Sequence, residues 1–390
     1  MARPRTLALV LAGGKGGRLE SLTTVRAKPA VPYGGHHRLV DVSLSNCAHS
    51  GIDEVWVSVQ HNPVSLGEHL ANGRPWDLDR NRGGMLVLHP RTTGEGRDGW
   101  SSGTADGLLR DADLIRGAGA DALVVVSADA VYRLDYAAVV EEHRASGALV
   151  TMVTTRVDPA DAGRYGVVQV EDGRVVDYAL KPDDPQGDLV CNEVFVFDPL
   201  PVLELLEELA ADAGEDGLQD LGHGLLPALV ARGQAREHRF EGYWRDVGTL
   251  DAYHSSHMEL LGADPAFRLD EDGWPVLTRG GKRGPSRLLT GAEVDDVLLS
   301  PSTTVAGRVE RSVLSPGVVV EAGAVVRDSV LLHDTVVRSG ATVTRAVLDA
   351  EVVVEGGAEV GAPDGELVLV GFGEHVRGRL APGARQPSPG

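Results

Sequence analysis

Four lysines stand out in the 390 residues: Lys15, Lys28, Lys181 and Lys282, with arginine at every other basic position. A compact ammonium can approach a phosphate oxygen as a point charge where a planar guanidinium does not fit, so each retained lysine is a candidate anion contact. Residues 1–40 carry Arg3, Arg5, Lys15, Arg18, Arg26, Lys28 and Arg38 against one acid, Glu20. The run Leu11-Ala12-Gly13-Gly14-Lys15-Gly16-Gly17-Arg18-Leu19 follows an apolar stretch. Its glycines let backbone N–H groups come close to a phosphate or a base. It is not a Walker A loop, because no Gly-Lys-Ser/Thr closes it, and it is not a clean dinucleotide fingerprint. Followed by Arg26-Ala27-Lys28-Pro29-Ala30-Val31-Pro32, it sets two cations to face a phosphate chain from one side. A solvated basic tail is the simpler alternative, but apolar residues interleave the charges.

Elements that could position these groups follow from hydrophobic pattern. Leu7 to Leu11, Glu54 to Val59 and Leu123 to Val126 read as buried parallel strands, the last ending in Ser127-Ala128-Asp129. Ala105 to Arg116 and Tyr136 to Ser146 read as helices, the second closed by Gly147. Strands alternating with helices over 1–150 indicate a βαβ, α/β domain. Ala148 to Val157, Gly166 to Val170 and Glu193 to Phe197 continue it with further strands. After about residue 290 the period changes. Val313, Val319, Val325, Leu331, Val337 and Val343 lie six residues apart, and Leu348, Val354 and Val360 continue after a one-residue slip. One aliphatic residue per hexad fits a β-helix, where each short strand points a side chain into a narrow core. A valine-rich sandwich has no reason to keep that stride. The expected division is a catalytic domain 1–261, a linker 262–292, a β-helix 293–380 and a disordered tail 381–390.

Composition excludes several classes. Lys+Arg 37 against Asp+Glu 57 leaves a net charge of −20, unsuited to nucleic acid or an anionic membrane surface. Two cysteines exclude a disulfide scaffold and point to a reduced, cytoplasmic setting. No apolar run approaches the roughly 20 residues of a membrane helix, and the start reads as no signal peptide. His36, His37, His254 and His257 have no ligand-like carboxylate pattern beside them and read as surface or core residues; Cys47 reads as a small core residue.

The run from Leu11 to Pro32 resembles the signature of nucleoside-diphosphate-sugar pyrophosphorylases. Its continuation is similar to the ADP-glucose pyrophosphorylase family: Tyr33-Gly34-Gly35, Arg38-Leu39-Val40-Asp41, Leu44-Ser45-Asn46, Gly103-Thr104-Ala105-Asp106, Tyr132-Arg133-Leu134-Asp135-Tyr136 and Tyr243-Trp244-Arg245-Asp246-Val247-Gly248-Thr249. The resemblance implies a Rossmann-like nucleotidyltransferase domain with a mixed, mostly parallel sheet, then a left-handed parallel β-helix. It implies in-line attack of a sugar 1-phosphate on the α-phosphorus of a nucleoside triphosphate, with no covalent intermediate. It places Arg18, Lys28 and Asp129 in catalysis, and Mg²⁺ between Asp129 and Asp246. Leu11, Ala12, Gly13, Gly14, Gly103, Thr104 and Ala105 would bind nucleotide. Gly166, Lys181, Asp220 and Trp244 would bind the sugar phosphate. A homotetramer is implied as well.

Departures from the family pattern cluster at the substrate walls. Leu180 stands where the family has a glutamate that contacts sugar hydroxyls. Ala128-Asp129-Ala130 replaces Gly-Asp-His, and Cys191-Asn192-Glu193 replaces Ser-Met-Gly. Ser101 follows Trp100 in place of an aromatic. Val25 stands where some members carry an effector-binding lysine. The nucleotide-sensing Pro-Ala-Gln-Gln has no counterpart in His89-Pro90-Arg91-Thr92-Thr93. These changes predict loosened sugar selection and weak allosteric activation. They leave open a paralogue with another sugar or nucleotide, or a weakly active regulatory subunit.

Overall fold

The computed structural model describes residues 4–14, 16–90, 101–214 and 217–388; Lys15, Arg91–Thr93 and Trp100 lie outside the described residues. Nine strands form one sheet: β1 (Thr6–Ala12), β2 (Glu54–Val59), β3 (Gly84–Leu88), β4 (Ala122–Ser127), β5 (Val150–Arg156), β6 (Gly166–Glu171), β7 (Arg174–Leu180), β8 (Leu189–Phe197) and β9 (Ala235–Arg239). Their order is β3-β2-β1-β4-β8-β5-β9-β7-β6. The β3-to-β4 half is parallel, β8 runs antiparallel to both β4 and β5, and β9 is parallel to β5.

Apolar side chains of β1 divide between two cores. Leu7 and Leu9 enter one, while Ala8, Val10 and Ala12 enter the other. Strand β4 does the same, with Leu123 and Val125 against Val124 and Val126. A strand covered on both faces by helices reads as an unbroken apolar run for this reason. Helix Tyr136–Ser146 starts where Asp135 Oδ1 accepts from Ala137 N (2.9 Å) and ends at Gly147 with φ 67°. The single helix expected over Ala105–Arg116 is two, Thr104–Arg110 and Ala112–Ala118, broken at Asp111 (φ −94°, ψ 4°). Cys47, His37, His254 and His257 are all buried. Among the described residues, no helix is long and apolar enough to cross a membrane.

From Arg287 on the chain is a parallel β-helix, with strands stacked in parallel at matching faces. Stacked partners such as Glu310 and Arg327, or Glu321 and Arg338, lie 17 residues apart. Between Arg308 and Val360 a coil therefore holds two six-residue steps and one of five. Beyond Val360 the stride lengthens, with Ala346 paired to Val368 and Val353 to His375, each 22 residues on. The five-residue step moves the phase of the expected stride. Leu331, Val337, Val343, Leu348, Val354 and Val360 do face inward, but earlier in the chain the inward residues are Leu314, Val320 and Val326, with Val319 and Val325 half-buried. Coils extend beyond the expected limits. Arg287–Leu288 already pairs with Thr304–Val305, inside the expected linker. Where a disordered tail was expected from 381, Arg385–Gln386 pairs with Leu369–Val370.

The β-helix lies against the catalytic domain through an apolar seam. Val330, Leu332, Val347 and Leu369 pack in one cluster with Leu19, Val31, Tyr33, Leu39 and Tyr253. Each fully buried aliphatic side chain contributes roughly 1.5–3 kcal/mol. Segment 262–286 is pinned to helix Leu39–His49: Trp274 Nε1 donates to Asn46 (3.0 Å) and Leu277 N to Ser45 (2.8 Å). Across the same seam Arg26 Nη1 meets Asp349 Oδ1 at 2.7 Å.

Candidate active site

A cavity of about 470 Å³ opens at the C-terminal ends of β1 and β4. Open α/β sheets bind ligands at this edge, because the chain leaves each strand there into a loop. Leu11, Gly13 and Gly14 line it from β1, and Ser127 and Asp129 from β4. Lys28 reaches it from a short 3-10 turn, Lys28–Ala30. Lys28 Nζ meets Asp129 Oδ2 at 2.5 Å, and the Ser127 hydroxyl donates to Asp129 Oδ1. Burial raises the Asp129 carboxyl, but Lys28 and Ser127 outweigh it and hold the group below its usual range. Burial would likewise lower Lys28, yet Asp129 and Asp246 hold its ammonium above the usual lysine range.

Asp246 arrives from 117 residues downstream by a two-strand pairing in which Trp244, Arg245 and Asp246 oppose Tyr132, Val131 and Ala130. It does not line the cavity itself. A Cβ on Gly248 would lie 2.7 Å from Asp246 Oδ2 and 3.1 Å from Arg18 Nη2, so these two side chains share a corner beside Asp129. Burial and then the Asp129 charge push the Asp246 carboxyl up, against Lys28, Arg18 and Arg164.

The nucleotide-side motif is fixed by contact. A Cβ on Gly103 would lie 2.3 Å from the Gln219 carbonyl carbon, so only glycine allows segment 219–221 this close. Thr104 N then donates to Asp220 Oδ1 (3.0 Å), and Leu221 N to Thr104 Oγ1 (2.9 Å). Gly103, Thr104 and Asp220 line the cavity; Ala12 and Ala105 are buried beside it. At the far end stand Tyr178, Leu180 and Lys181. Lys181 is exposed, with φ 47°, and has no ion-pair partner among the described residues. Gly166 and Gly222 flank Tyr178; a Cβ on either would lie 2.5 or 2.6 Å from its hydroxyl. Gly166 thus makes room for Tyr178 and lies outside the lining. Trp244 also stays outside, edge-on to Tyr165 with centroids 5.2 Å apart.

Among the lining residues to which the sequence assigns no role, Gln60, Tyr178 and Glu193 carry polar groups of interest. Gln60 donates to the Ser101 hydroxyl. Tyr178 follows the β7 alternation and carried no motif. Glu193 opens into the cavity, its carboxyl pushed up to about 7 by burial and then by Asp129 and Asp246. A departure from a family motif was the signal at Glu193; for Gln60 and Tyr178 the sequence carries none. Among the described residues, no three His, Cys, Asp or Glu side chains by themselves form a metal cluster. Asp129 and Asp246 are two hard-oxygen donors with mutually repelling charges. That set suits Mg²⁺, which needs only one or two carboxylates and takes the rest from water and phosphate.

Residues 7–262 match the nucleotidyl transferase family and residues 287–366 the GlmU-like C-terminal hexapeptide family. The chain belongs to the nucleotidyl transferases, in the branch that carries a hexapeptide β-helix. Its relatives include proteins named glucose-1-phosphate adenylyltransferase. The Thermomicrobium roseum protein is 42% identical over 75% of this chain and 68% of its own length. That of Streptomyces avermitilis is 40% identical over 84% of each, and that of Thermosipho africanus 34% over 82% and 77%.

Proposed function

We propose that this protein is a glucose-1-phosphate adenylyltransferase, converting ATP and glucose 1-phosphate to ADP-glucose and pyrophosphate. The observation that carries the reading is one cleft with Lys28 and Asp129 at one end and Lys181, unpaired among the described residues, at the other. A triphosphate along Gly13 and Gly14 meets Lys28 and Arg18, which neutralise the charge that develops on the departing pyrophosphate. Lys181 holds the sugar phosphate so that its oxygen faces the α-phosphorus in line. Thr104 and Asp220 brace the wall between them. Mg²⁺, held by Asp129 and Asp246, would neutralise phosphate oxygens. In this reading the Lys28–Asp129 contact opens as substrate enters, freeing the ammonium for phosphate.

We further infer a cytoplasmic enzyme that feeds glycogen or a related α-glucan and assembles as a homotetramer. With Val25 at the effector position and the sensing glutamines absent, activation by sugar phosphates should be weak. Pyrophosphate release measured over a matrix of nucleotides and sugar phosphates tests the central reading, and ATP with glucose 1-phosphate should be the best pair. Preference for another pair by more than about tenfold, roughly 1.4 kcal/mol, would replace it with a paralogous activity. Light scattering at micromolar concentration tests assembly, and a monomer would contradict it.

A further inference from the structure

We propose that Glu193 is the carboxylate that reads the sugar hydroxyls in this chain, taking the role that Leu180 cannot fill. The inference rests on the sugar-phosphate nucleotidyltransferase reading above and names its selector.

Backbone geometry is the first observation. Glu193 sits inside the nine-residue strand β8 with φ 59°, a left-handed conformation costly for any residue with a Cβ. The register of β8 against β5 breaks at the same place, between Cys191 and Phe195. Bulges beside active sites re-aim a side chain, and this one turns a carboxylate into the cavity.

Placement is the second. Gly166 pairs with Leu180 on one side and with Cys191 on the other, so β7 and β8 bring Leu180 and Glu193 to the same cavity end. Tyr178, Leu180 and Glu193 line one cavity with Ser127 and Asp129, and the charges that act on Glu193 are those of Asp129, Asp246 and Lys28. Glu193 therefore stands between the sugar end and the phosphate end.

Chemistry is the third. Vicinal hydroxyls need an acceptor, and Leu180 offers none. Asp129 is engaged by Lys28 and Ser127, and Asp220 by Thr104. Glu193 shares the Ser127 hydroxyl with Asp129 but has no ion-pair partner among the described residues, and it opens to the cavity with acceptor capacity left. A site that hydrogen-bonds a substrate hydroxyl rejects analogues lacking it far more strongly than an apolar wall does.

The decisive variant is Glu193→Gly, because glycine suits the local backbone and should keep Tm at or above the parent value. It should lower kcat/KM for glucose 1-phosphate by roughly ten- to a hundredfold and leave the KM for ATP within about threefold. Discrimination against galactose, mannose and 2-deoxyglucose 1-phosphates should collapse. Adding Leu180→Glu to that variant should restore selection. An unchanged sugar ratio in Glu193→Gly overturns the inference. So does an equal loss for every sugar with a raised Mg²⁺ requirement, which would make Glu193 a metal ligand. Calorimetry of glucose 1-phosphate and 2-deoxyglucose 1-phosphate against parent and variant gives the same comparison without turnover. A parent that binds the two sugar phosphates differently but transfers no nucleotide would overturn the activity and leave Glu193 to be judged on the binding ratio.

Discussion

Two cations two residues apart hold carboxylates on opposite sides of one turn. Lys28 meets Asp129 inside the cleft at 2.5 Å; Arg26 meets Asp349 of the β-helix at 2.7 Å. The two cations are equally covered, Lys28 at 8% and Arg26 at 9% exposure; the carboxylates differ, Asp129 keeping 25% exposure to the cavity and Asp349 0%. Their carboxyls move in opposite directions. Asp129 is held low because Lys28 and a Ser127 hydrogen bond overcome burial. Asp349 is pushed high because burial exceeds what Arg26 returns, and its Oδ2 has no hydrogen-bond partner among the described residues. The first pair is open to exchange with an incoming anion. The second is a closed strut between domains, and its charges do nothing for an incoming ligand. Function and architecture thus use the same chemistry and differ in access to water.

Breaking the first pair should give the largest effect. Asp129→Asn, or Asp246→Asn, removes charge from the proposed Mg²⁺ site and should lower turnover by at least roughly a thousandfold, on the order of 4 kcal/mol of barrier. The urea midpoint of Asp129→Asn should fall as well, since Lys28, 8% exposed, loses its counter-charge. That of Asp246→Asn should not, because burial and Asp129 already push the Asp246 carboxyl up. Turnover within about tenfold of the parent, 1.4 kcal/mol of barrier, would remove that carboxylate from the mechanism.

Breaking the strut should show in stability alone. Asp349→Ala leaves Arg26 buried without a counter-charge and should cost about 3–5 kcal/mol of stability. Replacing both, Arg26→Met with Asp349→Leu, should recover most of that loss, since a desolvated pair contributes little net stability. Urea unfolding of the three variants checks this. Equal losses in the single and double variants would mean the pair does more than neutralise itself.

The cleft pair was legible in the sequence and the strut was not. Lys28 lies in a phosphate motif beside scarce lysines, and Asp129 follows an apolar strand. Arg26 and Asp349 are 323 residues apart with no motif at Asp349. The β-helix was legible as a period but not in phase, because valines occupy adjacent positions at 319–320 and 325–326 and either could face inward. Only the 17-residue coil decides between them. Gln60 and Tyr178 enter the cavity through loop and strand geometry that no spacing announces. Arg385–Gln386 pairs in the last coil although its neighbours are Pro, Gly and Ala, residues that read as an unstructured end.

The ammonium at the far end of the cleft should matter less than either carboxylate. Lys181→Ala removes one charge-assisted phosphate contact, worth roughly 1.5–3 kcal/mol. The KM for glucose 1-phosphate should rise roughly ten- to a hundredfold, with that for ATP nearly unchanged. Equal changes in both would place Lys181 on the fold or the shared phosphate path.

The smallest effect separates the seam from the cleft by pH. His257 is fully buried under the β-helix and accepts from Gly34 N at Nε2 (3.1 Å), while its Nδ1 donates to the Tyr253 carbonyl (2.7 Å). A protonated ring cannot accept, and burial lowers its pKa to about 3. Because the folded value lies below the unfolded one, this group's stability is complete above pH 6.5 and is lost as pH falls toward 3. Between pH 6.5 and 5.5 the loss should be about 1 kcal/mol. Asp129, with a lowered carboxyl, contributes nothing to the slope in that window, because its stability is lost only below the carboxylate range. Glu193, raised to about 7, binds its proton in the folded state and slopes the other way. The readout is therefore the difference between the parent and His257→Gln. The glutamine carbonyl can accept from Gly34 but has no proton to gain, so the variant's stability should fall less steeply over that unit of pH. Parallel curves would show that His257 takes up its proton without opening the seam, and that the interface is no more fixed than the exchangeable pair in the cleft.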